Sequence, residues 1–404
     1  MEEAPQIKSF DWLSAGQFAF SLLAVLSLIF ISLFSLLAIL FGGAYSDLGL
    51  GDTQVISSLL FTAGLGFSGI LLIPSIIYSG RRLFGNRLPG LSQWDKMIWL
   101  GYIFPVPILF GYLIQNGPAW SQYLLPFVHL LANGASIFWV LNLGRKKFPP
   151  QSAQRNWGAF GVGLALTPAI TFFIEILLLI IFGLFWLILI QTRPDLELDI
   201  RYLLTVVNES SIDSEIPAQW VGEFIVRPEV TGSIFLYFSL LIPLVEELLK
   251  PLAVYFLLSR KLQPWEGFVI GATAGAGYAL FENLTIGAGA DTWTFVMISR
   301  LGTAAIHILT TGLVGWGLAS ARTEKKFVRL IGSFIAAVTL HGVWNGLNIF
   351  TAMADFPTYQ DHINPFLLNF ARYAPVGLIL LALGSIVGLL RANLLLRRAI
   401  IAQD

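Results

Sequence analysis

Long apolar runs alternate with short polar joints along almost the whole chain. A membrane-crossing helix needs about 20 mostly apolar residues, with a range of about 17–25. Ten stretches reach that length, at about 17–43, 55–79, 97–115, 121–143, 159–190, 232–258, 265–288, 295–319, 328–350 and 365–390. The third is the weakest, because Pro105 and Pro107 interrupt it. Helices in lipid keep such prolines where neighbours satisfy the freed carbonyls. The first run exceeds a signal-peptide core and does not end in a small-residue cleavage site, so it reads as a retained span. The pattern predicts an all-α polytopic membrane helix bundle of about ten transmembrane helices.

Charge then orients that bundle. Only 12% of the residues are charged, against about 25% in a soluble domain. Net charge is zero, which offers nothing to nucleic acid, and the absence of cysteine excludes disulfides and thiolate metal sites. With the N-terminus inside, the inner segments hold 18 of the 24 Lys and Arg residues, and the outer ones hold 13 of the 24 Asp and Glu residues. Cytoplasmic loops carry the Lys/Arg excess, so both termini are expected in the cytoplasm. The one long joint, 191–231, has eight acidic and three basic residues and falls outside. Its Trp220 and Phe224 suit either a small cap or a segment lying on the membrane; a solvated connector is the plain alternative. Four regions follow: a five-helix membrane region (1–190), the acidic extracytoplasmic loop (191–231), a four-helix core (232–350), and the last outer loop, final span and basic tail (351–404).

The ionisable residues within spans divide the halves. Glu175 is the exception among spans one to five, whereas spans six to nine carry Glu246, Glu247, Lys250, Glu282, Arg300, His307 and His341. A charged group at mid-membrane costs about 2.5–3.5 kcal/mol on insertion scales, so such a cluster needs a reason. Glu246 and Lys250 are four residues apart and share a helix face, which leaves Glu247 in need of another partner. A helix-packing ion pair is the structural alternative to chemistry. In span seven, Gly267, Gly271 and Gly275 form a small face suited to close helix approach; it is expected to bring Glu282 and Asn283 near span six. His307 on span eight and His341 on span nine, which shares a face with Asn345 four residues on, lie at similar depth to Glu246, each histidine and Glu246 some 14–20 Å from the outer ends. Groups from four helices can thus meet in one layer of a cavity open to the outside. His129 and His362 fall elsewhere.

Such a cavity can hydrolyse a peptide bond: Glu beside His activates water, and His with Asn stabilises an oxyanion. Glu246, Glu282, His307 and His341 could equally hold Zn²⁺. A proton-coupled transporter is the alternative of another class, since buried Glu/His chains form relays. Transporters usually carry internal repeats, however, and here the chemistry lies in one half.

Glu246-Glu247-x-x-Lys250, Phe281-Glu282-Asn283, His307 and His341-x-x-x-Asn345 together resemble the motif series of PrsW-type intramembrane proteases, relatives of the CAAX-prenyl endopeptidases and bacteriocin-immunity-like proteins. The resemblance covers about 120 residues of the 404. It implies a glutamic-type endopeptidase with no cofactor, acting on a membrane-anchored protein such as an anti-sigma factor, in a bacterial plasma membrane. By motif position, Glu246 would activate water and Glu247 support it, while His341 and Asn345 would polarise the scissile carbonyl. Lys250, Asn283 and Arg300 would be supporting residues. The relatives' histidine on the helix after the paired glutamates is replaced by Phe281-Glu282, so its role falls to Glu282 or His307.

Overall fold

The computed structural model describes residues 11–42, 52–85, 90–92, 94, 98–209, 224–354 and 365–402. Among them there is no strand, only a lone antiparallel bridge between Leu91 and Ser152. The N-terminal half consists of α1 (Trp12–Gly42), α2 (Asp52–Gly85), α3 (Ile98–Tyr102), α4 (Pro105–Gln115), α5 (Leu125–Arg145), α6 (Ala153–Gly161) and α7 (Thr167–Gln191). The third apolar stretch is broken between α3 and α4, directly ahead of Pro105, which has no N–H to continue the ladder. A π turn over Val162–Leu166 joins α6 to α7.

The joint after α7 contains α8 (Pro194–Glu209), whose Leu196 is fully buried. Arg193 pairs with Asp195 at 3.1 Å and with Glu229 at 2.7 Å. Arg227 pairs with Asp195 at 3.0 Å and also with Asp199. The start of this joint is therefore a folded, ion-paired helix; Trp220, like His362 in the last joint, lies outside the described residues.

The sixth span is segmented into α9 (Pro228–Phe235), a π turn (Leu236–Leu241), α10 (Ile242–Leu249) and α11 (Leu252–Leu257). The break at Lys250-Pro251 follows from the proline. Beyond it run α12 (Pro264–Thr285), α13 (Trp293–Glu324), α14 (Phe327–Ala354) and α15 (Pro365–Ile401). Nine spans among the described residues are long and apolar enough to cross a membrane, and the protein is a multi-pass membrane protein. Of the ten expected spans, the one outside that set is α12. Its 22 residues, about 33 Å long, trade Leu and Ile for Gly and Ala. It is the innermost helix, buried without interruption from Gly267 to Leu280 and packed against α2, α5, α6 and α13.

The small face of α12 works differently from the expectation. A Cβ on Gly271 would overlap the Thr311 carbonyl, and one on Gly275 would come within 2.5 Å of the His307 carbonyl. The glycines therefore seat α12 on α13, span eight, and not on span six. The physical reason is that both helices present small residues there, so their backbones touch. This contact brings Glu282 and Asn283 up to His307 and Arg300.

Candidate active site

Lys250 is the hub of the buried cluster. It and Glu247 have no solvent exposure at all. Its Nζ lies 2.7 Å from Glu246 Oε2 and donates to Glu247 Oε1 at 2.8 Å and to His307 Nδ1 at 2.8 Å. The expected Glu246–Lys250 pair is present, and Glu247 finds its second partner on α14: His341 Nδ1 sits 3.0 Å from Glu247 Oε1. A carboxylate only accepts, so Nδ1 of His341 is the donor in that contact, and Nε2 lies 3.8 Å from Glu246 Oε2. The two imidazoles stand edge-on, with ring centres 5.0 Å apart.

The outer side of the cluster is built by α12 and α13. His307 Nε2 donates to Glu282 Oε2 at 2.7 Å, and Arg300 donates to the other oxygen of Glu282 at 3.0 Å. Asn283 holds the Arg300 carbonyl at 3.3 Å, which ties the two helices beside the site. Asn345 donates to the Phe238 carbonyl at 2.9 Å, in the π turn that leads into α10. It thus anchors the segment bearing Glu246 while still lining the cavity. That cavity, about 370 Å³, is walled by Glu246, Glu282, Arg300, His307, His341 and Asn345, and opens toward the start of α13 and the end of α14. His307 lies fourteen residues into α13, about 21 Å from its start.

Two neighbours lay outside the expected set. Tyr278 packs its ring 4.8 Å from Lys250 Nζ and edge-on to His307 at 5.5 Å, with its hydroxyl beside Glu246. Its position four residues before Glu282, one turn along the same face, was the available signal. Glu175 on α7 lies close enough to Glu246, Lys250 and Glu282 to feel their charges, so it brings the N-terminal half up to the cluster. His129 is buried elsewhere, against Asn133 and Trp293.

These helices and this site define a membrane-embedded helical bundle with an internal Glu/His centre. Residues 203–371, somewhat under half of the chain, match the model of the PrsW family intramembrane metalloprotease, so this region is similar to PrsW-type proteins, which supports an intramembrane peptidase. No curated relative and no solved structure matches the chain.

The expectation of a site without cofactor is overturned. The matching family is a metalloprotease family, and Glu246, His307 and His341 offer ligand atoms that all lie within 4.8 Å of one another. Two imidazoles and a carboxylate are a common catalytic donor set for a divalent ion. The residues fit that use in two further respects. Glu246 Oε2 is buried yet has no hydrogen bond of good direction. Glu247 also orients His341 through Nδ1, as carboxylates behind metal-binding histidines do. Lys250 is the competing cation: its ammonium engages both Glu246 Oε2 and His307 Nδ1, so a bound ion would take these two ligand atoms from it. Of the four residues expected to hold zinc, Glu282 stands apart from the group, engaged by His307 and Arg300.

Proposed function

We propose that this protein is a metal-assisted intramembrane endopeptidase in which a glutamate activates water. The observation that carries this reading is the convergence of Glu246, His307 and His341 in one buried layer of a polar cavity that opens toward one end of the bundle. A bound divalent ion would polarise the scissile carbonyl and make water acidic enough to attack near neutral pH. Glu246, His307 and His341 would hold it.

The chain's own groups do the rest. Glu246, through the carboxylate oxygen not given to the ion, would take the proton of the attacking water and pass it to the leaving amine nitrogen. Glu247 fixes the His341 ring, and Lys250 neutralises the paired carboxylates, so the cluster is tolerated where water is scarce. Glu282, held by Arg300, fixes His307 at the cavity wall, and Tyr278 closes the cluster below Lys250. Asn345 holds the α10 segment in register. The substrate is a membrane-anchored protein whose scissile bond reaches the cavity from the acidic end of the bundle, which the distribution of Lys and Arg makes extracytoplasmic. The membrane is a bacterial plasma membrane by the family resemblance; nothing in the cavity selects an anti-sigma factor over other anchored substrates.

The test is a cleavage assay in proteoliposomes with a membrane-anchored substrate, together with elemental analysis of the purified chain. The expected outcome is about one divalent ion per chain, loss of cleavage on chelation, and a loss of about 10³-fold or more in Glu246→Gln and His341→Ala. Cleavage retained in both variants would end the assignment to this site. Full activity in metal-free protein would end the metal's part in it.

A further inference from the structure

We infer that the basic end of the bundle carries a built site for one anionic phospholipid, in a crevice between α1, α6 with the π turn that follows it, and α11. Three arginines far apart in sequence converge there: Arg82 at the end of α2, Arg155 at the start of α6, and Arg260 just beyond α11. All three lie in segments that the charge pattern assigns to the cytoplasmic side. The crevice encloses about 320 Å³.

The rim is polar and already ordered. Gln17 donates to Ser75 at 2.9 Å, and Gln154 donates to Ser14 at 2.8 Å. Arg82 uses Nε on Asp11 at 2.6 Å, and Arg155 uses one terminal nitrogen on Glu266 at 2.6 Å. A guanidinium has five N–H donors, so each retains donors for a ligand. Arg260 makes no hydrogen bond or ion pair among the described residues. Cationic donors therefore exceed the acids that engage them, which is the complement of a phosphate group.

Below the rim the wall becomes apolar. Phe20, Val162, Leu166, Phe256 and Leu257 line it. From Arg155 to Leu166 is eleven residues along one continuous helical segment, about 16 Å. Half of a hydrocarbon core about 30 Å thick is about 15 Å. A crevice with guanidinium groups at its mouth and one leaflet's depth of apolar wall fits a headgroup and an acyl chain together. Basic pockets between spans on the cytoplasmic side favour anionic headgroups. A free anion would use the rim and leave the wall without purpose.

The experiment is native mass spectrometry of the full chain in detergent, titrated with phosphatidylglycerol or phosphatidylcholine. The expected result is one tight phosphatidylglycerol per chain, bound at least about fivefold better than phosphatidylcholine. Arg260→Gln should weaken phosphatidylglycerol by about fivefold. Arg398→Gln, a basic residue near the end of α15 and outside the crevice, should leave it unchanged. Equal binding of the two lipids by the wild type overturns the proposal even if a variant does not fold. So does an unaffected Arg260→Gln, or an equal loss in Arg398→Gln. Displacement of the lipid by millimolar inorganic phosphate would reassign the rim to a free anion and also overturns it.

Discussion

In α7 the side chains of Phe173, Ile181 and Ile188 are 62%, 62% and 64% exposed, whereas every residue of α12 from Gly267 to Leu280 is buried. Both helices belong in a membrane, yet they solve different problems. A lipid-facing helix needs only bulk and apolarity. A helix inside the bundle meets other helices, so small residues give it close contacts, and neighbouring spans supply partners for polar groups. That is why the chemistry sits beside α12 and why, among the described residues of the N-terminal half, Glu175 is the ionisable group that reaches it. The largest expected contrast follows. Glu246→Gln should reduce cleavage by about 10³-fold or more, while Phe173→Leu, on the lipid face of α7, should stay within about twofold of wild type, as surface changes away from such features do. Equal losses in the same proteoliposome assay would erase the distinction between the halves.

Glu247 probes the support of the centre. It touches His341 and Lys250 and does not belong to the metal-holding group. Glu247→Gln keeps the shape and removes the charge that orients the His341 ring. The expected outcome is a metal affinity lower by about 10–100-fold, read by competition with a chelating dye. An unchanged affinity would limit Glu247 to balancing Lys250.

A smaller effect tests packing. Gly271→Ala puts a methyl group against the Thr311 carbonyl, backbone that cannot swing aside. It should cost about 1–3 kcal/mol as overpacking, seen as a lower thermal midpoint in detergent. Gly183→Ala, in α7 with open space around it, should be neutral or stabilising by up to about 1 kcal/mol. Similar midpoints for the two variants would mean that α12 and α13 can slide apart freely.

Much of this architecture was legible because lipid makes few demands on side chains and strict ones on length. The apolar runs located the spans, and the cost of burying charge drew attention to Glu246, Glu247, Lys250, Glu282, His307 and His341. Helical spacing gave the Glu246–Lys250 pair, since it is local. What depends on which helix lies beside which was not legible. The glycine face of α12 could be recognised but not its partner on α13. Lys250 reaching His307, Tyr278 lying under it, and Glu175 arriving from α7 are all contacts between distant segments. The metal was misjudged for the same reason: the donor types were visible, but only their mutual distances distinguish a metal-holding group from a cluster of hydrogen bonds.

The smallest effect concerns the joint between the halves. Arg193 follows α7 and Glu229 opens α9, with Asp195 and Arg227 completing the ion-paired cluster between these two helices. The hydrogen bond from Arg193, reinforced by its charge, holds the Asp195 carboxyl down to about 2 against the slight upward push of burial. A depressed carboxylate value means that the interaction is complete above the ordinary aspartate value, ~3.9, and disappears as pH falls through about 2. Between neutrality and about pH 4.5 the joint should therefore not change. Wild type and Asp195→Asn, compared by hydrogen exchange over α8 and the start of α9, should differ at pH 6, with faster exchange in the variant, and converge near pH 2. Identical exchange at pH 6 would show that the two halves are joined by the packing of Leu196 and the spans themselves, with the surface charges adding nothing, as many exposed ion pairs do.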